Sequence, residues 1–352
     1  MSDPPALCAL VSRSTHTHYT TQTQARLQED PPCSDVALLA LLATPKQRMD
    51  QVLPLPLASP PPASPPSPAL AWCVWQMMDS NLPTGGFAHS YGLEAAVQMG
   101  QFHLQGGGSC DEEARIAGLL VFARQTVQQQ AILLLPLVRA AYTAAEAAEA
   151  ATPDSSSSPP PPPLVMAWAT LDRKCHALLT TEGGRRASVS QGQALLRLAC
   201  DNFPTVSPQH RRWLLSARDQ VRGRPPVATT AGGSEGINGH VPAPPLLPVK
   251  GHQAPLFGWL CRTLRVDVDT TSRMFCYLVL RDLMAAATRL GLVGPLQAVR
   301  LQMSLHQDAE AIVMRCLEEG GREGGGGPRQ DNPLLDILQG AHEKLYSRLF
   351  IS

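Results

Sequence analysis

The chain is poor in aromatic residues, carries no net charge and has no metal-ligand or phosphate-loop motif. Each shortage removes a class of protein. Phe, Trp and Tyr make up only 5% of the 352 residues, while Ala and Leu abound, a balance that favours helices over sheets. Lys and Arg number 29 against 29 Asp and Glu, so neither a nucleic-acid surface nor a polybasic membrane anchor is expected. No uninterrupted apolar run reaches the roughly 18 residues of a membrane span. The nine cysteines, Cys8 to Cys316, are scattered, odd in number and without a CxxC. They read as reduced thiols of an intracellular protein, not as a disulfide frame or zinc site. GxxxxGK[ST], HxxxH and HExxH are all missing, and no GxSxG elbow surrounds Ser90, so GTP hydrolysis, helical zinc catalysis and a serine nucleophile at the Gly-Gly turn lack their sequence basis.

What is abundant is proline, 33 residues, and glycine, 27 residues, gathered largely into runs. Such runs cannot join a core. Without them roughly 200–230 residues remain, enough for one well-buried domain. Residues 1–68 are expected to be a disordered extension. Arg13, Arg26 and many Ser and Thr give it some flavour of a transit peptide, but Glu29, Asp30 and Asp35 oppose that, and the expected location is cytoplasmic. Residues 69–352 are expected to form a single all-α helical bundle of about nine or ten helices. Low-complexity inserts interrupt it at about 103–111, 152–163, 222–249 and 320–330.

Apolar spacing predicts helices over 112–139, 140–151, 164–180, 186–200, 210–221, 252–265, 272–290 and 295–319. Pro136 should kink or end the first of these near Leu135. Gly192 is expected at a close helix contact. The segment 272–290, capped by Thr270 or Thr271, looks the most buried, with Gly291 as its C′ residue. The helix after Pro295 shows a stripe of Leu296, Val299, Met303, His306, Glu310, Val313 and Leu317.

The chain is organised around residues 72–101, WCVWQMMDSNLPTGGFAHSYGLEAAVQMGQ. Asp79-Ser80-Asn81 and Pro83 end a first helix. Gly85 and Gly86 allow backbone angles or approaches closed to other residues. Ser90 is a fair N-cap for a second helix carrying Leu93, Ala96 and Val97 on one face.

DSNLPTGGFAHSYGLEAAVQ resembles the signature of the UreF family of urease accessory proteins, with Pro83, Phe87, Ser90, Gly92, Leu93 and Glu94 in register. ASVSQGQALLRLA is similar to the family's Ser-x-x-x-Gly-x-x-Leu-Leu segment. RDLMAAATRLGLVGPLQA and the terminal PLLD, His342 and YSRLF resemble its plant and algal branch. The long N-terminal extension, the inserts and Ile351 depart from the family pattern. The resemblance implies an all-α, non-catalytic chaperone that binds UreD (UreH), forms a homodimer within the complex and recruits the GTPase UreG. It further implies nickel delivery to apo-urease, with nickel and GTP handled by the partner complex and no cofactor bound by this chain.

On that basis the partner-binding candidates are Pro83, Gly85, Gly86, Phe87, Ser90, Tyr91 and Glu94 of the turn, Arg281 and Asp282, and Tyr346, Arg348, Leu349 and Phe350 of the tail. Two readings stand for Arg281–Asp282: an ion pair inside a helix crossing, or an interface hot spot. Two also stand for the tail: docking on its own domain, or ordering on UreD to build a platform for UreG. Adjacent His89 and Ser90 are a poor nucleophile and base, because helical neighbours project about 100° apart. His306 and Glu310 are the weak metal candidates, one turn apart, but a transition-metal site needs further converging ligands. His16 and His18 are a conceivable surface metal grip. The rival functions are a helical nickel-binding or storage module and a helical hydrolase using the Gly-Gly turn.

Overall fold

The computed structural model describes residues 68–102, 109–151, 162–203, 207–223, 248–320 and 327–352. The expected extension up to residue 67, the His16–His18 pair and most of the four inserts lie outside the described residues. Among these residues there are eleven α-helices and no strands. They are α1 (Pro68–Met78), α2 (Leu93–Gln98), α3 (Ser109–Ala151), α4 (Pro162–Leu178), α5 (Glu182–Asn202), α6 (Pro208–Val221), α7 (Gln253–Thr263), α8 (Val268–Arg289), α9 (Pro295–Ser304), α10 (His306–Gly320) and α11 (Pro333–His342).

The fold is all-α, as expected, but its centre is α7 rather than α8. Every residue of α7 from Ala254 to Cys261 is buried, and α3, α4, α5 and α8 surround it. Two glycines permit that crowding. A methyl on Gly258 would strike the Val138 carbonyl of α3, and one on Gly192 of α5 would strike the backbone of Gly251 and His252. Gly192 is therefore the expected close contact, made against the turn that leads into α7. That turn is fixed by the buried Asp172 carboxylate, which accepts from the N–H groups of Lys250 (2.6 Å), Gly251 (3.0 Å) and His252 (2.5 Å). Trp168, Trp213 and Trp259 are fully buried, with the rings of Trp168 and Trp259 5.9 Å apart.

Pro136 does not end its helix: α3 runs unbroken through it for 43 residues. A proline removes the donor that the carbonyl four residues earlier requires. Here that carbonyl, on Ile132, accepts from Arg329 N at 3.4 Å. Glu112–Ala151 is long and apolar enough to cross a membrane by composition, yet 61% of its most apolar window is buried inside the protein. That burial is what a core helix shows.

Three further expectations are corrected. The cap of α8 is Asp267, whose Oδ1 accepts from Thr270 N at 2.8 Å, so the helix begins before Thr270 and Thr271. The segment after Pro295 is two helices joined at Leu305. The break changes the inward register, so Ala298, Leu305, Ile312 and Val313 face the core while Leu296, Val299 and Met303 are exposed. Val249 and Arg329, placed in inserts by composition, take part in the core and in the Pro136 repair respectively. Gly291 does act as the C′ residue of α8. It has φ 72°, its N–H reaches Thr288 O, and Leu292 N reaches Ala287 O, which is the Schellman pattern.

Candidate protein-binding surface

The Gly-Gly turn lies between the end of α1 and the start of α2, and its two glycines serve different needs. Gly85 has φ 79°, a left-handed angle that a side chain disfavours. Gly86 is buried against α8, where a methyl would collide with the Asp282 carboxylate. Asp282 is in turn held by Arg281, whose Nε and Nη2 donate to Oδ1 at 2.9 and 2.7 Å. Arg281 Nη1 also donates to Met78 O at 2.8 Å, satisfying a free carbonyl at the C-terminus of α1. Both side chains are largely buried. Burial pushes the Asp282 carboxyl above its usual range, against the opposing pull of Arg281. The ion pair therefore shapes the turn from behind.

Ser90 does not cap α2. Tyr91 (φ 54°) and Gly92 (φ 84°) are both left-handed, and together they turn the chain before the helix starts, making Gly92 the N-cap. A left-handed non-glycine residue costs roughly 1–2 kcal/mol, so surrounding contacts must hold Tyr91 there. Gly92 is required for a second reason: a Cβ would lie 3.0 Å from Gln339 N on α11. Burial, and then the Asp282 charge, raise the Tyr91 hydroxyl pKa.

The C-terminal segment is already docked on this turn. Ile351 N donates to Ala88 O at 2.9 Å, and Ser90 N donates to Ser352 O at 2.7 Å. Ser90 Oγ also donates to Ser352 O at 3.3 Å, and His89 Nδ1 lies 2.7 Å from Ser352 Oγ. Glu94 of α2 is the anchor. Its buried carboxylate accepts from His342 Nε2 (2.7 Å), Leu349 N (2.6 Å) and Phe350 N (3.1 Å). Gln98 Nε2 adds a bond to Ser347 O at 2.9 Å. Phe350 is buried with the Arg289 guanidinium 4.4 Å from its ring centre, and Arg289 also donates to Phe87 O. Burial, then repulsion from His342, lowers the His89 pKa to about 4.

Of the thirteen predicted residues, Gly85, Tyr91 and Arg281 are half-buried, and the other ten separate into two groups. Gly86, Ser90, Glu94, Asp282 and Phe350 are buried and hold the arrangement. Pro83, Phe87, Tyr346, Arg348 and Leu349 are exposed on it. Sequence reasoning missed His342 and Arg289 as clamps and Ile351 as an exposed neighbour. No local pattern announces a His that meets its Glu 248 positions away.

His89 and Ser90 are both engaged with Ser352, with no oriented base for a nucleophile between them. His306 is exposed, bonding through Nδ1 to Met303 O at 2.5 Å. Glu310 forms a paired contact with Arg273, its closest approach 2.7 Å. The one-turn spacing therefore does not make them joint ligands. Among the described residues no group of three or more His, Cys, Asp or Glu side chains is placed to hold a metal.

The described residues thus define an all-α helical protein with a clamped turn bearing an exposed apolar rim. Comparison with known families matches residues 116–306 to UreF. The chain is 35% identical to urease accessory protein F of Oryza sativa subsp. indica over 279 residues, 79% of this chain and 84% of the relative. It is 34% identical to urease accessory protein F of Arabidopsis thaliana over 286 residues, 81% and 94% of the two chains. Urease accessory protein UreF of an Arthrobacter species matches at 25% identity over 277 residues, 79% and 95% of the two chains. The chain belongs to the UreF family, in its plant-type branch, and its role is that of an accessory protein in urease maturation.

Proposed function

We propose that this chain is a non-catalytic chaperone that joins UreD and the GTPase UreG in the complex delivering nickel to apo-urease. The observation that carries this reading is the rigid rim of the tail and turn. Phe87, Tyr346, Leu349 and Ile351 are exposed large apolar residues, held on backbone bound by the buried Glu94 carboxylate, itself paired with His342, and by the exposed Arg289. Exposed aromatic and apolar side chains grouped beside arginines are typical of interaction hot spots. A rim that is already ordered loses little entropy on binding. The tail acts here as a preformed platform, and UreD binding need only select it. The chain works in the cytoplasm and as a homodimer within the complex. Nickel is cargo and GTP belongs to the partner.

Co-purification with UreD and UreG tests this. Tyr346→Ala combined with Leu349→Ala changes only exposed side chains, so the fold should persist while UreG recruitment is lost. A chain stopped at Gln339 should lose it too. Assembly unchanged in both would refute the platform. The functional step is differential binding: the chain favours one nucleotide state of UreG and shifts its population. Equal affinity for the GTP-bound and GDP-bound forms would rule that out.

A further inference from the structure

Behind the clamped turn lies a cavity of about 50 Å³, bordered by α3, α5, α7 and α8. Three glutamines from three helices line it: Gln130 of α3, Gln191 of α5 and Gln253 of α7. Gln191 is only 3% exposed. Among the described residues none of the three carboxamides has a protein hydrogen-bond partner, Gln253 being bonded only through its backbone N–H to Ser188 Oγ. A buried carboxamide without a partner is costly, so each such group in a native fold calls for water or a ligand. Gln191 and Gln253 also border a second cavity of about 20 Å³ that reaches Asp282, which gathers the unpaired groups at one place.

The lining selects by charge, size and shape. No Asp, Glu, Lys or Arg side chain contributes to the first cavity. Its one imidazole, His89, is bonded to Ser352 Oγ and kept neutral by burial, its pKa lowered to about 4. Ser352, also on the wall, has its carbonyl taken by Ser90. An ion would lose its hydration here without meeting a side chain of opposite charge, and a metal would find no thiolate or carboxylate side chain. Carboxamides instead offer both N–H donors and C=O acceptors, which suits a ligand carrying both. Leu134, Phe275 and Val279 add apolar wall for its flat faces. A water occupies about 10–15 Å³ of such space, so the cavity has room for roughly four non-hydrogen atoms.

We infer that this cavity binds a small uncharged amide of the acetamide or urea kind, hydrogen-bonded to Gln191 and Gln253. Acetate, acetamide and acetamidinium have nearly one shape and differ in charge, which makes them the probes. A ligand of four heavy atoms binds no tighter than about 40 µM, so titrations run to millimolar concentration. Saturation-transfer NMR on the full-length protein at neutral pH should give a saturable methyl signal for acetamide, with binding of the two ions weaker by about tenfold or more. Gln191→Leu keeps the bulk, removes the carboxamide and should abolish that signal. Ala187→Leu fills the cavity, leaves Gln191 intact and should do the same, which decides the matter if the first variant loses its fold. Absence of a saturable acetamide signal overturns the inference and leaves the cavity to water. Acetate bound as tightly as acetamide also overturns it, by assigning an anion to the N-terminus of α5. A signal unchanged in both variants refutes the assignment by placing the amide elsewhere.

Discussion

Replacing Glu94 with Gln should release the C-terminal segment without unfolding the bundle. The carboxylate accepts Leu349 N on Oε1, and Phe350 N and His342 Nε2 on Oε2. A carboxamide in the same place keeps one acceptor oxygen. Oriented to serve Phe350 and His342, it points its NH2 at the Leu349 N–H, donor against donor. Bonds to a charged acceptor contribute about 1.5–3 kcal/mol, and a buried donor left unpaired costs about 1–3 kcal/mol. Part of that is recovered when the tail lifts and water enters. Phe350, still favoured in its pocket by about 2 kcal/mol, resists the lift. The expected net loss is about 3 kcal/mol, or roughly a hundredfold in the tail's opening equilibrium. Amide hydrogen exchange reads this directly: Leu349, Phe350 and Ile351 should exchange about a hundred times faster, while amides in α7 keep their protection. Unchanged exchange at Leu349 and Phe350 would show that Glu94 does not hold the tail.

Gly258→Ala would press a methyl on the Val138 carbonyl at the centre of the bundle. Overpacking of this kind costs about 1–3 kcal/mol or more, so the thermal midpoint should fall by several degrees; an unchanged midpoint would mean that α3 and α7 can move apart freely. Acid should also destabilise the fold. His89 and His252 both have folded pKa values lowered to about 4, each mainly by burial. A depressed folded pKa contributes stability that is complete above the unfolded value of 6.5 and lost as pH falls toward 4, on the order of 3 kcal/mol for each histidine. Denaturant titrations at pH 7, 5.5 and 4.5 should show that decline, and a flat profile would contradict neutral buried rings.

The helices and the turn were legible because they depend on local rules. Apolar spacing located most of the helical segments, and Gly291, Pro295 and Gly192 performed the local roles their positions suggested. What failed had causes distant in sequence. Pro136 survives mid-helix because Arg329, almost two hundred residues later, supplies the missing donor. Leu296, Val299 and Met303 are exposed because a break at Leu305 sets a different inward face. Ser90 lost its expected capping role to the left-handed pair Tyr91–Gly92, the second of which packs too closely on α11 to carry a Cβ. How the candidate residues are arranged was not legible. Their order comes from Glu94 meeting His342 and the tail, and from Asp282 filling the space that Gly86 leaves.

That arrangement joins two polar clusters that would each be poor stability devices alone. Taking Arg281–Asp282 and Glu94–His342 out of water incurs a desolvation cost that apolar residues of similar size would avoid. What they provide is direction. A carboxylate at Glu94 accepts two successive backbone N–H groups in only one register of the tail, and Asp282 leaves room for the turn only where no Cβ intrudes. Slipping the tail by one residue would bury Leu349 in place of Phe350 and separate Arg289 from its aromatic partner. The exposed rim of Phe87, Tyr346 and Leu349 thus rests largely on the buried Glu94, His342 and Asp282. Substitutions at Glu94 or Asp282 should therefore disturb partner binding as strongly as substitutions on the rim itself.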